Sequence, residues 1–364
     1  MASTTTNYGF DVPTSSDLVK NGATAISTLG QDIDTFLFRP FTRNGLLNSS
    51  LNVWQRGTSI SLSASSGVVY TADRWSTSTN ANQACTVSRQ ATGDTTNLPN
   101  IQYAMRFQRN SGQTGTGLLL TTQSLETTNS IPFVGKTVVV SFYARAGANF
   151  SSASSILINY LMTGTGTDQN RQSGAYTGEV TASNNATLTT TWQRFSYSYT
   201  VGATATEVAT GFAYTPVGTA STNDYFEVTG VMLEIGNQVS PYAPATPTYQ
   251  SELAACQRYY YRTSTPNAAG GYISPAGVAA TTTRFDVSLN APVTMRVGAT
   301  AIDYANLQVR TTAGAAKTIT AATLDSVSGS NAQVRWSAST FVVGDIGFLE
   351  TTTTGGYYGL SAEL

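Results

Sequence analysis

Apolar residues recur along this chain at two different periods, and the change of period divides it. Near the N-terminus Val19, Gly22, Ile26, Leu29, Ile33 and Phe36 step alternately by three and four. That is the a/d seam of a helix that meets other helices. Pro13-Thr14-Ser15-Ser16-Asp17 supplies N-cap residues, and no further proline intervenes before Arg39-Pro40-Phe41, so the pattern predicts a helix over about 15–37. Gly22, Thr24, Thr28 and Gly30 are weak helix formers, which leaves the helix marginal without partners.

From residue 44 the period falls to two. Tyr103, Met105 and Phe107 alternate with Ala104, Arg106 and Gln108; Val138, Val140, Phe142 and Ala144 share one face of a strand. Ile156, Ile158 and Tyr160, then Phe195, Tyr197 and Tyr199, then Val208, Thr210, Phe212 and Tyr214 repeat the pattern between Gly, Asn, Ser and Thr clusters. Phe226 and Val228 are out of phase with Val231, Leu233 and Ile235, so a bulge at Thr229-Gly230 is required to keep the strand in register. Pro241, Pro244 and Pro247 then end the sheet near Ser240. Ser251-Glu252-Leu253 starts a short helix, with Leu253, Cys256 and Tyr260 along one side. Beyond it Phe285, Val287 and Leu289 alternate, as do Val293, Met295 and Val297; Leu307 with Val309, Val334 with Trp336, and Phe341 with Val343 give further short strands.

The expected fold class is therefore mostly β: an N-terminal coiled-coil-like helix, a β-sandwich jelly roll, a short linker helix and a small C-terminal β domain. The boundaries are 1–43 for the N-terminal segment, 44–245 for the sandwich, 246–263 for the linker and 264–364 for the last domain. Tyr259-Tyr260-Tyr261, at the join, are read as buried wedges with large amphipathic rings.

Composition narrows the chemistry. Only 11% of the residues are charged and the formal net charge is −1, so no basic field exists to hold nucleic acid and none favours a membrane surface. No apolar run approaches the roughly 20 residues that span a bilayer. The chain has no histidine, which excludes Ser-His-Asp and Cys-His nucleophilic catalysis and His-based zinc sites. Cys85 and Cys256 are read as buried thiols rather than a disulfide. Glycosidase chemistry needs two carboxylates at a fixed separation, whereas Asp73, Glu126, Asp168, Glu179, Glu207, Asp224 and Glu227 stand singly. The glycine-rich Gly112–Gly117 lacks the lysine of a P-loop. No cofactor or metal is expected. Asp73-Arg74-Trp75 is read as an Arg–carboxylate pair tying a loop beside a buried tryptophan, and Trp54 as a core residue.

Three stretches together resemble bacteriophage virion proteins of the tail-fibre or receptor-binding type. NSSLNVWQRG followed by YTADRW (Asn48 to Trp75) is similar to the opening of a jelly roll of the family 4/9 carbohydrate-binding-module kind found in such proteins. VMLEIG followed by SELAACQRYY is similar to its end and to the join that follows. Val287 to Arg296, with the terminal SAEL, is similar to their distal domain, and the leader TNYGFDVPTSSDLVKNGATAISTLGQDID resembles their N-terminal attachment segments. The resemblance implies a homotrimer in a virion assembled in the host cytoplasm, held to another virion protein through residues 1–36, with the seam Val19, Ile26, Leu29, Ile33 and Phe36 joining the copies. It also implies host attachment by binding of surface glycan, without catalysis; a head fibre or capsid decoration is the alternative, and a glycan depolymerase a third reading. Sugar recognition uses exposed aromatic faces beside amide or hydroxyl groups. The candidates are Tyr143 and Asn159, opposite the apolar faces of their strands, with Tyr176, Tyr357 and Tyr358.

Overall fold

A computed structural model describes residues 3–4, 10–14, 18, 21–37, 44–79, 84–98, 100–265, 270–312, 314 and 316–364. Two units divide the chain. The first comprises Met1–Asn52, Ser59–Thr71 and Trp75–Pro247, and the second Val53–Thr58, Ala72–Arg74 and Thr248–Leu364.

In the first unit the two-residue strands β1 (Ser3–Thr4) and β2 (Asp11–Val12) pair antiparallel, and α1 covers Gly22–Leu37. Ile26 and Ile33 are 66% and 40% exposed and Leu29 is half-buried. Val19, like positions 15–17 of the expected helix start, lies outside the described residues, as does the side chain of Phe36.

The sandwich follows in chain order. Its strands are β3 (Ser59–Leu62), β4 (Val69–Tyr70), β5 (Ser76–Thr79), β6 (Cys85–Ala91), β7 (Tyr103–Arg109) and β8 (Leu119–Ser124). After a one-turn helix α2 (Thr127–Ser130) come β9 (Thr137–Ala146), β10 (Ile156–Gly164), β11 (Val180–Thr187), β12 (Gln193–Thr200), β13 (Glu207–Tyr214) and β14 (Tyr225–Ile235). One sheet has the order β11-β10-β13-β8-β5-β4 and the other β12-β9-β14-β7-β6-β3. Their inner faces meet through aromatic rings. Phe142 and Phe212, from different sheets, lie edge to face with centroids 4.7 Å apart; Trp75 stacks on Phe212 and Phe107 on Phe226. Such pairs add roughly 0.5–1.5 kcal/mol each beyond burial.

The expected bulge is present: β14 shifts register on β9 between Thr229 and Met232. Gly230 sits there at φ +59°, and a Cβ would come within 2.8 Å of Ile101 Cδ1 and 2.9 Å of the Tyr143 ring, so glycine is required by both conformation and space.

Strand β10 corrects the expected phase. Leu157, Asn159 and Leu161 are buried while Ile156, Ile158 and Tyr160 are only partly covered. The run ILINYL is apolar in both phases, so period two does not choose between them. A polar partner does: the Tyr199 hydroxyl donates to Asn159 Oδ1 at 2.9 Å, and Asn159 Nδ2 donates to the Gly211 carbonyl at 3.1 Å.

The second unit contains α3 (Tyr249–Gln257), opened by a reciprocal capping box between Thr248 and Ser251. Tyr260 belongs not to this helix but to β15 (Tyr260–Ser264). The remaining strands are β16 (Gly277–Thr281), β17 (Arg284–Asn290), β18 (Ala301–Ala305), β19 (Leu307–Thr311), β20 (Ala316–Thr318), β21 (Ala321–Val327), β22 (Asn331–Ser337), β23 (Ile346–Thr351) and β24 (Tyr357–Ser361). They form sheets β15-β24-β18 and β20-β19-β23-β16-β17-β22-β21 around a core that includes Phe285, Val287, Leu289, Val334, Trp336 and Leu360. Two expected strands are absent. The backbone from Val293 to Val297 is irregular, following Pro292, which has no N–H to give a ladder; Met295 alone of its three apolar residues is buried. Phe341 and Val343 lie in a loop whose Thr340 and Gly344 have φ +61° and +91°, conformations that end a strand. Phe341 is buried there and Val343 exposed.

Candidate functional site

The alternation of each strand decides what the sheet β12-β9-β14-β7-β6-β3 shows on its outer face. In β7, Met105 and Phe107 point into the sandwich, so Arg106 points out; in β9, Phe142 and Ala144 point in, so Arg145 points out; in β14, Phe226 and Val228 point in, so Glu227 points out. The register then places the three side by side, since Glu227 is paired with Arg106 on one flank and with Arg145 on the other.

Glu227 is fully buried and bridges both arginines. Arg106 Nε donates to Oε1 at 2.8 Å, with Nη2 2.6 Å away, and Arg145 Nε donates to Oε2 at 2.5 Å. The guanidinium groups are also held from the side by aromatic rings. Arg106 Cζ lies 3.9 Å from the centroid of Tyr225 and Arg145 Cζ 4.8 Å from that of Trp192. The Trp192 indole N–H in turn donates to the Thr92 carbonyl at 3.3 Å, while Tyr225 packs against Gly147, where a Cβ would come within 2.8 Å of the ring. The arginine side chains keep 22% and 25% of their surface exposed. Further along the same row Arg106 faces Ser88 on β6, and Ser88 faces Ser59 on β3. A half-exposed pair of rigidly oriented guanidinium groups is a site for hydrogen-bond acceptors.

Part of this face is covered. Leu98, Ile101, Ala104 and Trp192 form a small apolar cluster, against which Tyr143 and Tyr242 pack. Tyr143, a sequence candidate, is therefore half-buried beside the platform, with the Arg194 guanidinium 5.5 Å from its ring centre. Arg194 donates from Nη2 to the Ser240 carbonyl at 2.5 Å, and Glu234 accepts from the Ser240 backbone N–H at 2.9 Å.

The structure does not bring the five sugar candidates together in one place. Asn159 is fully buried with its amide satisfied, as described above. Tyr176 is buried against Met162, Ala209 and Tyr160, and burial pushes its hydroxyl pKa up. Tyr358 is in the core of the second unit, its hydroxyl likewise raised by burial. These three present no ring face to a ligand, which corrects the sequence expectation for them. Tyr357 is half-buried, with the Arg262 guanidinium 3.2 Å from its ring centre.

Two other sequence features have structural roles. Gly112–Gly117 wraps Arg109, which is completely buried. Arg109 donates to Asp224 Oδ2 at 2.9 Å, to Ser151 Oγ at 3.0 Å, and to the carbonyls of Gln113, Gly115 and Gly218 at 3.0, 2.8 and 3.1 Å. The loop thus offers acceptors to a cation, the reverse of a phosphate cradle. Among the described residues no group of three or more His, Cys, Asp or Glu is placed to hold a metal. Cys85 and Cys256 are free and buried, the first with its thiol pKa pushed up to about 12 by burial.

In the second unit, Asp73 and Arg74 each have a partner distant in sequence or across the loop. Arg74 Nη1 bonds to Glu363 Oε2, and Arg56 Nη1 reaches Glu363 Oε1 at 3.3 Å and Asp73 Oδ1 at 4.0 Å. Asp73 accepts from the Gln55 backbone N–H at 3.0 Å and from its amide at 2.5 Å. Tyr259 and Tyr260 are buried, with Arg74 and Arg56 each 3.5 Å from a ring centre. Burial raises the Asp73 pKa to about 6, against the lowering effect of Arg56 and Gln55. Apart from the partly buried Gln55 and Arg56, this knot is buried and has the character of a structural element.

The class defined so far is a two-unit, antiparallel β protein with a charged and aromatic strip on one sandwich face. No known family profile matches the chain, and no curated protein does. Among solved structures, similarity is found to the enzymatically active domain of tailspike protein 4 of bacteriophage CBA120 (11% identity, 53% of this chain and 22% of that one, TM-score 0.32). A family 4 carbohydrate-binding module is similar at 21% identity over 36% of this chain and 71% of its own, TM-score 0.25. A family 61 module in complex with β-1,4-galactotriose is similar at 10% identity over 54% of this chain and 100% of its own, TM-score 0.31. The chain spans about a fifth of the tailspike domain it matches.

Proposed function

We propose that the protein is a non-enzymatic attachment protein of a bacteriophage particle, a fibre- or tail-type virion component that binds host surface glycan through its first unit. The observation that carries the binding part is the Arg106–Glu227–Arg145 strip: two oriented guanidinium groups on an open sheet face, flanked by the serines of neighbouring strands. The carboxylates around it support binding rather than catalysis. Glu227 is held by two arginines, Asp224 by Arg109, and Glu234 by Ser240, so each of these three acids serves a fixed partner.

The virion part rests on the sequence resemblance and on helix α1. Its exposed Ile26 and Ile33, seven residues apart on one face, suit a bundle of three copies, and residues 1–36 would attach that bundle to another virion protein. Three weak sites on one trimer would act together through avidity.

Adsorption competition tests the reading. Soluble full-length protein is expected to coat host cells and to block infection by the phage. Protein that assembles into particles but binds neither cells nor purified surface glycan would leave a head-fibre or decoration role, and release of new reducing ends from that glycan would show an enzyme.

A further inference from the structure

Resting on that reading of the first unit, we infer that the outer face of β12-β9-β14-β7-β6-β3 selects anionic saccharides, with Arg145 and Arg106 receiving the carboxylate or sulfate of an acidic sugar. Three features of the strip carry this. The first is unused donor capacity. Arg145 gives only Nε to the protein and Arg106 gives Nε and Nη2. Arg145 Nη1 and Nη2 and Arg106 Nη1 have no protein acceptor among the described residues. A guanidinium edge with two free N–H groups matches a planar carboxylate in two parallel hydrogen bonds.

The second is that the aromatic rings do not offer a platform for a pyranose. Tyr225 is covered by Arg106, and Trp192 is buried under Arg145. Arg106 and Arg145 thus occupy ring faces on which a pyranose would stack, and place guanidinium N–H groups there instead.

The third is charge and rigidity. Glu227 neutralises one of the two cations, so the trio keeps one positive charge. Arg194 adds another at the edge of the face, where Glu234 shares Ser240 with it and opposes its charge. Asp94 opposes Arg145. Its carboxylate already accepts from the backbone N–H groups of Thr96 and Asn97 and from the Asn97 amide; it is solvent-exposed, where salt screens it. Glu227, gripping both arginines from beneath, fixes their orientation before a ligand arrives, which lowers the entropic cost of binding. Ser88 and Ser59 continue the row across two more strands. Five strands about 4.8 Å apart give a strip about 19 Å long, with room for hydroxyl contacts beside the anion.

Calorimetric titration of the full-length protein tests this with four probes: oligogalacturonate, its carboxyl-reduced neutral counterpart, dextran sulfate and dextran. The expected result is at least about tenfold tighter binding of an acidic probe than of its neutral partner, as expected for charge-assisted hydrogen bonds. That affinity should fall severalfold between about 50 and about 500 mM salt. Preference for oligogalacturonate assigns a carboxylate, and preference for dextran sulfate a sulfate. Arg145→Gln should lose about tenfold in affinity and Arg145→Lys should recover part of it. Because Arg145→Gln removes one partner of a buried carboxylate, the pair Arg145→Gln with Glu227→Gln is measured beside it, with melting curves for all variants. Equal affinity for acidic and neutral probes, or unchanged binding in the double variant, would overturn the anionic assignment while glycan binding stands. Failure to bind any of the four probes would overturn the anionic assignment, while coating of host cells by the same protein decides the glycan-binding reading separately.

Discussion

Arg106 and Arg109 lie on one strand, three residues apart, and so face opposite sides of it. Each meets a fully buried carboxylate, Glu227 or Asp224. Arg109 is enclosed and donates to five acceptors, three of them loop carbonyls. Arg106 shares its carboxylate with Arg145 and retains N–H groups toward solvent. The same two residue types therefore close one end of the sandwich and open a face of it. What separates the roles is how many donors the fold itself satisfies, not the charge pair.

The largest test of that contrast is Arg109→Met in the full-length chain. It leaves Asp224 charged and buried with three loop carbonyls unsatisfied, and the expected loss is about 3–5 kcal/mol in denaturant unfolding. A loss no larger than that of Arg145→Gln would erase the distinction.

The knot of the second unit extends the comparison to a carboxylate that burial partly neutralises. The Asp73 pKa is about 6 in the folded protein, against an ordinary value of 3.8. The folded state therefore holds this proton more tightly than the unfolded chain. The resulting stability is complete below about pH 3.8 and is lost as pH rises through about 6. Up to about 3 kcal/mol is involved. Thermal melts should show the second unit of the parent losing stability between about pH 3.8 and about pH 6 relative to Asp73→Asn, with little further change above that. Parallel curves for the two proteins would remove the buried acid from the account.

Gly230→Ala probes the bulge that sets the outward side of β14. A Cβ at φ +59° against Ile101 and Tyr143 should cost about 1–3 kcal/mol. It should also weaken acidic-glycan binding, because Glu227 lies just before the bulge. Arg145→Gln should have the smallest effect on stability, about 1 kcal/mol, since Arg106 still holds Glu227 and only a partly exposed ion pair and its contact with Trp192 are lost. Its larger effect should be on ligand affinity.

Much of this architecture is legible in the chain. Alternation locates β7, β9, β12 and β13, and the broken phase around Thr229-Gly230 marks the bulge because only an extra residue keeps both halves facing the core. The phase of β10 is not legible. Both sides of ILINYL are apolar, and a hydroxyl 40 residues away decides that Asn159 turns inward. The Arg106–Glu227–Arg145 strip is hidden in the sequence for a related reason. Arg106 and Arg145 lie 121 and 82 residues from Glu227, and nothing local joins them. Each is, however, a charge on the outward side of a strand with a mostly apolar inward side, and pairing those strands would have put the three in one row. Exposed tyrosines point to ring faces instead, and at Tyr225 and Trp192 this fold lays a guanidinium group over the ring.

The division of the chain also fixes an order of events during synthesis. Residues 53–58 and 72–74 are translated early, between parts of the sandwich, yet they belong to the second unit. Arg74 and Arg56 must wait 289 and 307 residues for Glu363. The first unit can gather its sheets while the ribosome is still working, but the second cannot close its charged knot until residue 363 has emerged. A ribosome stalled before that codon would therefore hold Arg56 and Arg74 without Glu363, a state open to capture by proteases or chaperones.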